Sequence, residues 1–551
     1  MSYTAHSYTA HVDSFARDNL PPKEQWPAFL FTRPELQYPA RLNACTRFLD
    51  RWIAAGRGDA PCLVGPAETL TYGELDQRVN RIANVLTGKL GLVPGGRVLL
   101  RAANTPMWVA VFFAVLKAGG VVVATMPMLR AREIAYPLDK AKIGLALCDH
   151  RLSEELEKAR PLAPGLARVV YWGGGGQDSL EALMADASPR FEAVETAADD
   201  VCLIAFTSGT TGEPKGTMHF HRDLVAICDT YSDNVLRPEP SDRFIGSPPL
   251  AFTFGLGALA LFPMHAGAAT VLIEKATPDE LLPAIARHRA TVCVTAPTAY
   301  RAMLARLGEH DVSSLRKCVS AGEALPKATF EAWQAATGLK IMDGIGATEM
   351  LHIFIAARED EIRPGATGKP VPGYEAKIVD AQGRDLPPGA VGRLAVRGPT
   401  GCRYLADERQ RKYVEDGWNL TGDTYLMDED GYFWYQARSD DMIISAGYNI
   451  AGPEVEAALL THPAVAECGV VGAPDLERGM IVTAFVVLSP GERPGPETAK
   501  ALQDHVKQEI APYKYPRAIE FVAELPKTAT GKLQRFALRQ MAQAASKASA
   551  A

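Results

Sequence analysis

A chain of 551 residues is longer than one hydrophobic core supports, since single cores stop growing at about 250–300 residues, so two or more domains are expected. At 47% hydrophobic and 22% charged residues with a net charge of −6, the composition is that of a soluble globular protein. It lacks the cationic surplus that sequence-blind nucleic-acid binding requires. Nine cysteines (Cys45, Cys62, Cys148, Cys202, Cys228, Cys293, Cys318, Cys402 and Cys468) are dispersed with no CxxC pair. They read as free thiols in a reducing compartment, not as a disulfide framework or zinc site.

The N-terminus is polar and has no signal-peptide core. Within it Ser2–His6 repeats as Ser7–His11, which reads as a frayed extension. Leu70–Leu90 and Met107–Lys117 carry apolar residues at helical spacing, while Arg97–Arg101 and Gly120–Thr125 are short apolar runs. The alternation recurs through Val201–Phe206, Leu281–Arg289, Thr291–Thr295 and Lys317–Ser320, predicting parallel sheets covered on both faces. Gly255–Ile273 is long and nearly uncharged, but Pro263, His265 and its Gly/Ala content predict a buried strand–helix–strand piece of a large core, not a membrane span. The expected location is the cytoplasm.

Beyond Pro364, Gly, Pro and short alternating strands predict a small antiparallel or barrel-like unit. A polar connection at 436–441 then leads to strand, helix, strand, strand, helix. The expected division is a large domain over 1–437 and a small α+β domain over 438–551, free to move relative to it.

The most informative segment is Thr207-Ser208-Gly209-Thr210-Thr211-Gly212-Glu213-Pro214-Lys215-Gly216, between a predicted strand and a helix starting near His221. Small residues let backbone N–H groups approach phosphate oxygens, the hydroxyls add donors and Lys215 adds a cation. It is not a Walker A loop, which needs Gly before and Ser or Thr after the lysine; here Pro214 and Gly216 flank it. The segment resembles the phosphate loop of the adenylate-forming superfamily of acyl-CoA synthetases, adenylation domains and luciferases, and further motifs follow in that family's order.

The resemblance implies roles, residue by residue. In Asp343-Gly344-Ile345-Gly346-Ala347-Thr348-Glu349 it puts Asp343 and Gly344 at the adenylate, Thr348 on the α-phosphate and Glu349 on Mg²⁺, a hard cation that prefers oxygen. Gly322 and Glu323 fall beside the adenine ring, Asp423 of Thr421-Gly422-Asp423 on the ribose hydroxyls and Arg438 on ribose and phosphate. Asp440 takes the hinge position, Gly447 lines the coenzyme A tunnel, and Lys532 of Pro526-Lys-Thr-Ala-Thr-Gly-Lys-Leu-Gln-Arg535 is the catalytic lysine. Asn449 stands where some relatives carry Arg.

The implied fold class is α/β: a large N-terminal domain of two parallel-type sheets plus a small β-barrel, and a small mobile C-terminal α+β domain. The implied reaction joins a carboxylic acid to AMP and passes the acyl group to coenzyme A, with ATP and coenzyme A as co-substrates. Leu250–Gly257 and Ile345–Phe354 resemble benzoate-type CoA ligases, whose pocket would here be Phe252, Thr253, Phe254, Gly346 and His352. Phe254 replaces Tyr, Thr253 replaces Ala and Ala347 replaces Ser of that group; these changes look more like 2-aminobenzoate CoA ligases. An aromatic acid is therefore the expected substrate, 2-aminobenzoate first, with benzoate or hydroxybenzoate as alternatives. Loading of a separate carrier protein and homodimer formation both stay open; neither nucleic acid nor membrane is an expected partner.

Overall fold

The computed structural model describes residues 8–207, 213–438, 441–445, 448–475, 479–510, 512–527 and 532–550. Of the expected site residues, Ser208, Gly209, Thr210, Thr211, Gly212, Asp440 and Gly447 lie outside the described residues.

Two mixed sheets with parallel cores form the body. One runs Arg168–Trp172, Leu145–Asp149, Arg97–Arg101, Val121–Thr125, Val201–Phe206, Gly216–Phe220. Its first five strands are parallel and the last is antiparallel. The other has nine strands, with Pro61–Val64, Ala269–Val271, Arg243–Gly246, Val292–Thr295, Lys317–Ala321 and Ile341–Gly346 parallel in the middle. These strands are short, β-branched and buried, as expected where helices cover both faces. A single apolar core joins residues of both sheets to the helix Pro106–Lys117. That helix is apolar up to its final Lys117 and buried except at the half-buried Met107, and opens with Pro106 at its first position while the Thr105 hydroxyl accepts from the Trp108 amide.

Glu375–Val379, Val391–Arg397, Val414–Glu415, Trp418–Met427 and Phe433–Arg438 make a separate antiparallel sheet. The C-terminal sheet comprises Ile443–Ser445, Tyr448–Ile450, Val465–Asp475, Gly479–Leu488 and Ala518–Phe521, packed against Gly452–Leu460, Pro496–Glu509 and Arg535–Ala550. The protein is thus an α/β fold with a large N-terminal part and a small C-terminal α+β part.

Several local expectations change. Gly255–Ile273 is buried as expected, but it begins in helix (from Thr253) and only then enters the strand Ala269–Val271; no leading strand forms. Gln436–Arg438 belongs to a strand, not a connection, because Ala437 and Arg438 pair with Thr424 and Asp423. Gly216–Phe220 is a strand the pattern did not announce. Nor is the second copy of the N-terminal repeat frayed: the Tyr8 hydroxyl donates to Glu195 O (2.8 Å), Thr9 Oγ1 and Ala10 N donate to the Asp200 carboxylate, and His11 is buried. Polar residues dock there because Asp200 offers both carboxylate oxygens. All nine cysteines are free, eight of them buried. Among the described residues no helix is long and apolar enough to cross a membrane.

Arg403 and Asp223 form an ion pair with no exposed side-chain surface, and Arg403 Nε also donates to Met218 O (3.2 Å). Burial alone would raise the Asp223 pKa, but Arg403 beside it pulls the carboxyl down to about 2. The Arg403 guanidinium also lies 3.9 Å from the Phe220 ring centroid. Arg403→Ala therefore strands a buried carboxylate, and chemical denaturation should show a loss of about 3–5 kcal/mol.

Candidate functional site

Thr207, Gly322, Glu323 and the Asp343–Glu349 segment lie at or just beyond the carboxyl ends of parallel strands, where open α/β sheets bind ligands, whereas Asp423 and Arg438 come from the antiparallel sheet and Lys532 from the C-terminal part. Val201–Phe206 ends at Thr207, and Gly216–Phe220 returns antiparallel beside it, so the two strands flank the segment expected to bind phosphate. Thr207 and Lys215 close its base: the Thr207 amide donates to Lys215 O (2.9 Å) and the Lys215 amide to Thr207 Oγ1 (3.2 Å). In the second sheet Ala321 is in register with Gly344 and Ser320 with Asp343, which sets Gly322 and Glu323 beside the start of the next turn.

That turn, Thr348–Met350, is a single 3-10 turn tied to the hairpin: His219 Nε2 donates to Thr348 O (2.9 Å). Glu349 is buried; its Oε1 accepts from the Tyr404 hydroxyl (2.5 Å) and lies 3.4 Å from Lys215 Nζ. Leu351 follows at φ +71, a strained backbone for a non-glycine residue, and turns His352 inward. Gly346 sits at a register shift where an added Cβ would come within 2.8 Å of the His352 backbone.

Asp423 and Arg438 are direct partners across the antiparallel sheet, with Arg438 Nη1 3.2 Å from Asp423 Oδ1 and 3.3 Å from Thr421 O. Lys532, from the C-terminal part, reaches the same place: a Cβ on Gly322 would lie 3.5 Å from Lys532 Cε and 3.6 Å from its Nζ. Desolvation lowers the Lys532 pKa and Arg438 lowers it further, while Glu323 and Asp423 oppose the shift. The neighbouring lysine is occupied elsewhere, Lys527 Nζ lying 2.6 Å from Glu467.

The AMP-binding enzyme family matches residues 50–404, and the AMP-binding enzyme C-terminal domain matches 454–532. The chain belongs to the AMP-binding enzyme family. It is an adenylate-forming enzyme of the AMP-forming acid–CoA ligase kind. Benzoate–CoA ligase of Thauera aromatica is 39% identical over 514 residues, covering 92% of this chain and 98% of that protein. The 3-hydroxybenzoate–CoA ligase of Aromatoleum sp. (strain CIB) is 32% identical over 91% of this chain and 97% of its own length. The crystal structure of the anthranilate CoA ligase AuaEII in complex with anthranoyl-AMP superposes with a TM-score of 0.89 at 38% identity, covering 94% of this chain and all (100%) of that one.

In this AMP-binding enzyme the expected acid pocket surrounds His352. Its ring packs against Phe262 (4.5 Å between centroids), Tyr231 (5.7 Å) and Phe254 (5.8 Å). Its Nε2 lies 3.3 Å from Phe254 O, and burial pushes its pKa down to about 3, so the imidazole is neutral near pH 7. Thr253 is buried at the start of the helix Thr253–Leu256, one residue before Phe254, with Phe252 as the N-cap.

Sequence reasoning missed Phe262, Tyr231, Gly257 and Tyr404. An added Cβ on Gly257 would come within 2.3 Å of His352 Cδ2, so the glycine makes room for the ring. The motif Phe-Gly-Leu-Gly carried that signal; Phe262, Tyr231 and Tyr404 carried none, being single aromatics in unrelated elements. For a cation, the available donor is the Glu349 carboxylate, whose charge Lys215 partly balances; a hard oxygen donor beside a phosphate loop fits Mg²⁺.

Asp343 titrates unusually. Burial raises its pKa to about 7, and its Oδ1 is buried with no hydrogen-bond partner among the described residues. It is thus neutral in the fold at pH 5 but ionised at a cost by pH 8, so it lowers stability as pH rises through that interval. Asp343→Asn should raise the thermal midpoint relative to the native enzyme more at pH 8 than at pH 5.

Proposed function

We propose that this enzyme is a cytoplasmic aryl-CoA ligase that adenylates an aromatic acid, with 2-aminobenzoate as the preferred substrate. The observation that carries the reading is the approach of Lys532 to Gly322, within the electrostatic reach of Glu323, Asp423 and Arg438. A carboxylate attacks the α-phosphate of ATP to give acyl-AMP and pyrophosphate, and the coenzyme A thiol then displaces AMP. The first step brings two anions together, so alignment and charge neutralisation dominate it.

In this reading Asp423 accepts from the ribose hydroxyls, Arg438 and Thr348 hold phosphate and ribose, and Gly322, Glu323, Asp343 and Gly344 bracket the adenine. Lys532 donates to the reacting oxygens. Glu349 would hold Mg²⁺, which neutralises phosphate charge. Thiol attack needs no ammonium in that position, so a hinge at Asp440 that withdraws Lys532 and turns Gly447 toward the pantetheine lets one site serve both steps.

The aromatic assignment is supported by the aromatic rings of Tyr231, Phe254 and Phe262 around His352 and by the relatives described above. Two features favour a ring donor over plain benzoate. Thr253 adds a hydroxyl. The His352 Nε2 faces a carbonyl and so carries the ring proton, leaving the buried Nδ1 as an acceptor with no donor among the described residues. An ortho amino group supplies that donor. A hydroxybenzoate could do so too, which keeps it as the second reading.

Steady-state comparison should give 2-aminobenzoate a higher kcat/KM than benzoate with free coenzyme A as acceptor; a clear preference for benzoate refutes the substrate, and strict dependence on a carrier protein refutes the acceptor. Lys532→Ala should lower acid-dependent ATP–pyrophosphate exchange by about 10²–10³-fold. Thioester formation from supplied acyl-adenylate should suffer far less, and equal loss of both steps counts against the role of Lys532.

A further inference from the structure

Tyr404 lies between two residues assigned to the nucleotide. Lys215 Nζ donates to its hydroxyl at 2.7 Å, and that hydroxyl donates to Glu349 Oε1 at 2.5 Å. Lys215 Nζ is itself 3.4 Å from the same oxygen and 4.8 Å from the Tyr404 ring centroid. Among the described contacts of Glu349, both fall on Oε1 and none on Oε2.

The tyrosine has no freedom to wander. It is fully buried, and its segment pairs with the return strand Gly216–Phe220: Leu405 N donates to Gly216 O (2.8 Å) and Met218 N to Arg403 O (2.8 Å). Its own amide donates to Gln410 Oε1 (2.9 Å), and its ring meets Tyr413 edge-on at 5.7 Å. A phenol is protonated near neutral pH, so its hydroxyl can donate to the carboxylate while accepting from the ammonium group.

A phenol can accept from an ammonium group and donate to a carboxylate at once; a phenylalanine can do neither. The arrangement also answers a problem of charge. Lys215 has to leave Glu349 when it turns to phosphate, and a buried carboxylate left without a partner is costly. With Tyr404 in place the carboxylate keeps a hydrogen bond through Oε1, and Oε2 is left to bind a cation.

We propose that Tyr404 is a positioning residue of the metal–phosphate site, holding Lys215 and Glu349 in mutual compensation before nucleotide binds and fixing Glu349 through Oε1 afterwards. The inference rests on the adenylation reading given above. It predicts that the hydroxyl matters for nucleotide carrying a metal and much less for nucleotide without one.

Calorimetric titration of the full-length protein with α,β-methylene-ATP tests it, once with saturating Mg²⁺ and once in chelator. Tyr404→Phe should weaken the Mg²⁺ complex about tenfold, equivalent to about 1.4 kcal/mol, and change metal-free binding by less than about twofold. Equal weakening of both forms would mean that Tyr404 only supports the fold, and no weakening of either would mean that the hydroxyl is unused; both outcomes overturn the proposal. Wild-type protein that fails to bind the Mg²⁺ complex sinks the adenylation reading itself, whereas wild-type binding with an unaltered variant sinks only the role of Tyr404.

Discussion

The strand Gly216–Phe220 runs antiparallel at the edge of an otherwise parallel sheet, and that reversal ties the site together. Because it returns beside Val201–Phe206, it brings Thr207 and Lys215, the two ends of the proposed phosphate loop, into hydrogen-bond contact. Because it is an edge, its free side can pair with Arg403–Leu405, which brings Tyr404 over Lys215. From its middle, His219 reaches the carbonyl of Thr348 and so holds the Glu349 turn. Three segments far apart in sequence meet on one short strand, secured below by the Asp223–Arg403 pair.

The charges at the site divide into anions and cations already matched before any ligand enters. Glu349 faces Lys215, Asp423 faces Arg438, and Glu323 and Asp423 lie in the field of Lys532. A polyanion bound here can borrow cations that already have neighbours, and its metal can take their place beside the carboxylates. Such exchange avoids exposing an uncompensated buried charge at any stage. Neutral groups dominate the proposed acid pocket instead, where burial keeps His352 uncharged.

The fold class was legible because short β-branched runs alternating with helical spacing admit few packings. The failures were local. Polar residues at Tyr8–His11 look disordered in isolation, yet they dock because Asp200 presents two acceptors. The strand Gly216–Phe220 contains two polar residues buried by neighbours that no short window reveals. Of the acid pocket, Phe254 and His352 lie in marked motifs, whereas Phe262 and Tyr231 come from elements whose aromatics look like ordinary core.

By itself the sequence determined the order of the phosphate loop, the Asp343–Glu349 turn, Asp423, Arg438 and Lys532, because each is a local run whose chemistry depends on its own neighbours. Only the tertiary structure decided that Lys532 of the C-terminal part lies against Gly322, that Lys527 is engaged with Glu467, and that a solitary tyrosine at 404 joins the phosphate lysine to the acidic turn. Those relations depend on which strand lies beside which, and hydrogen bonds at 2.5–2.7 Å across 55 and 189 residues of chain leave no trace in spacing.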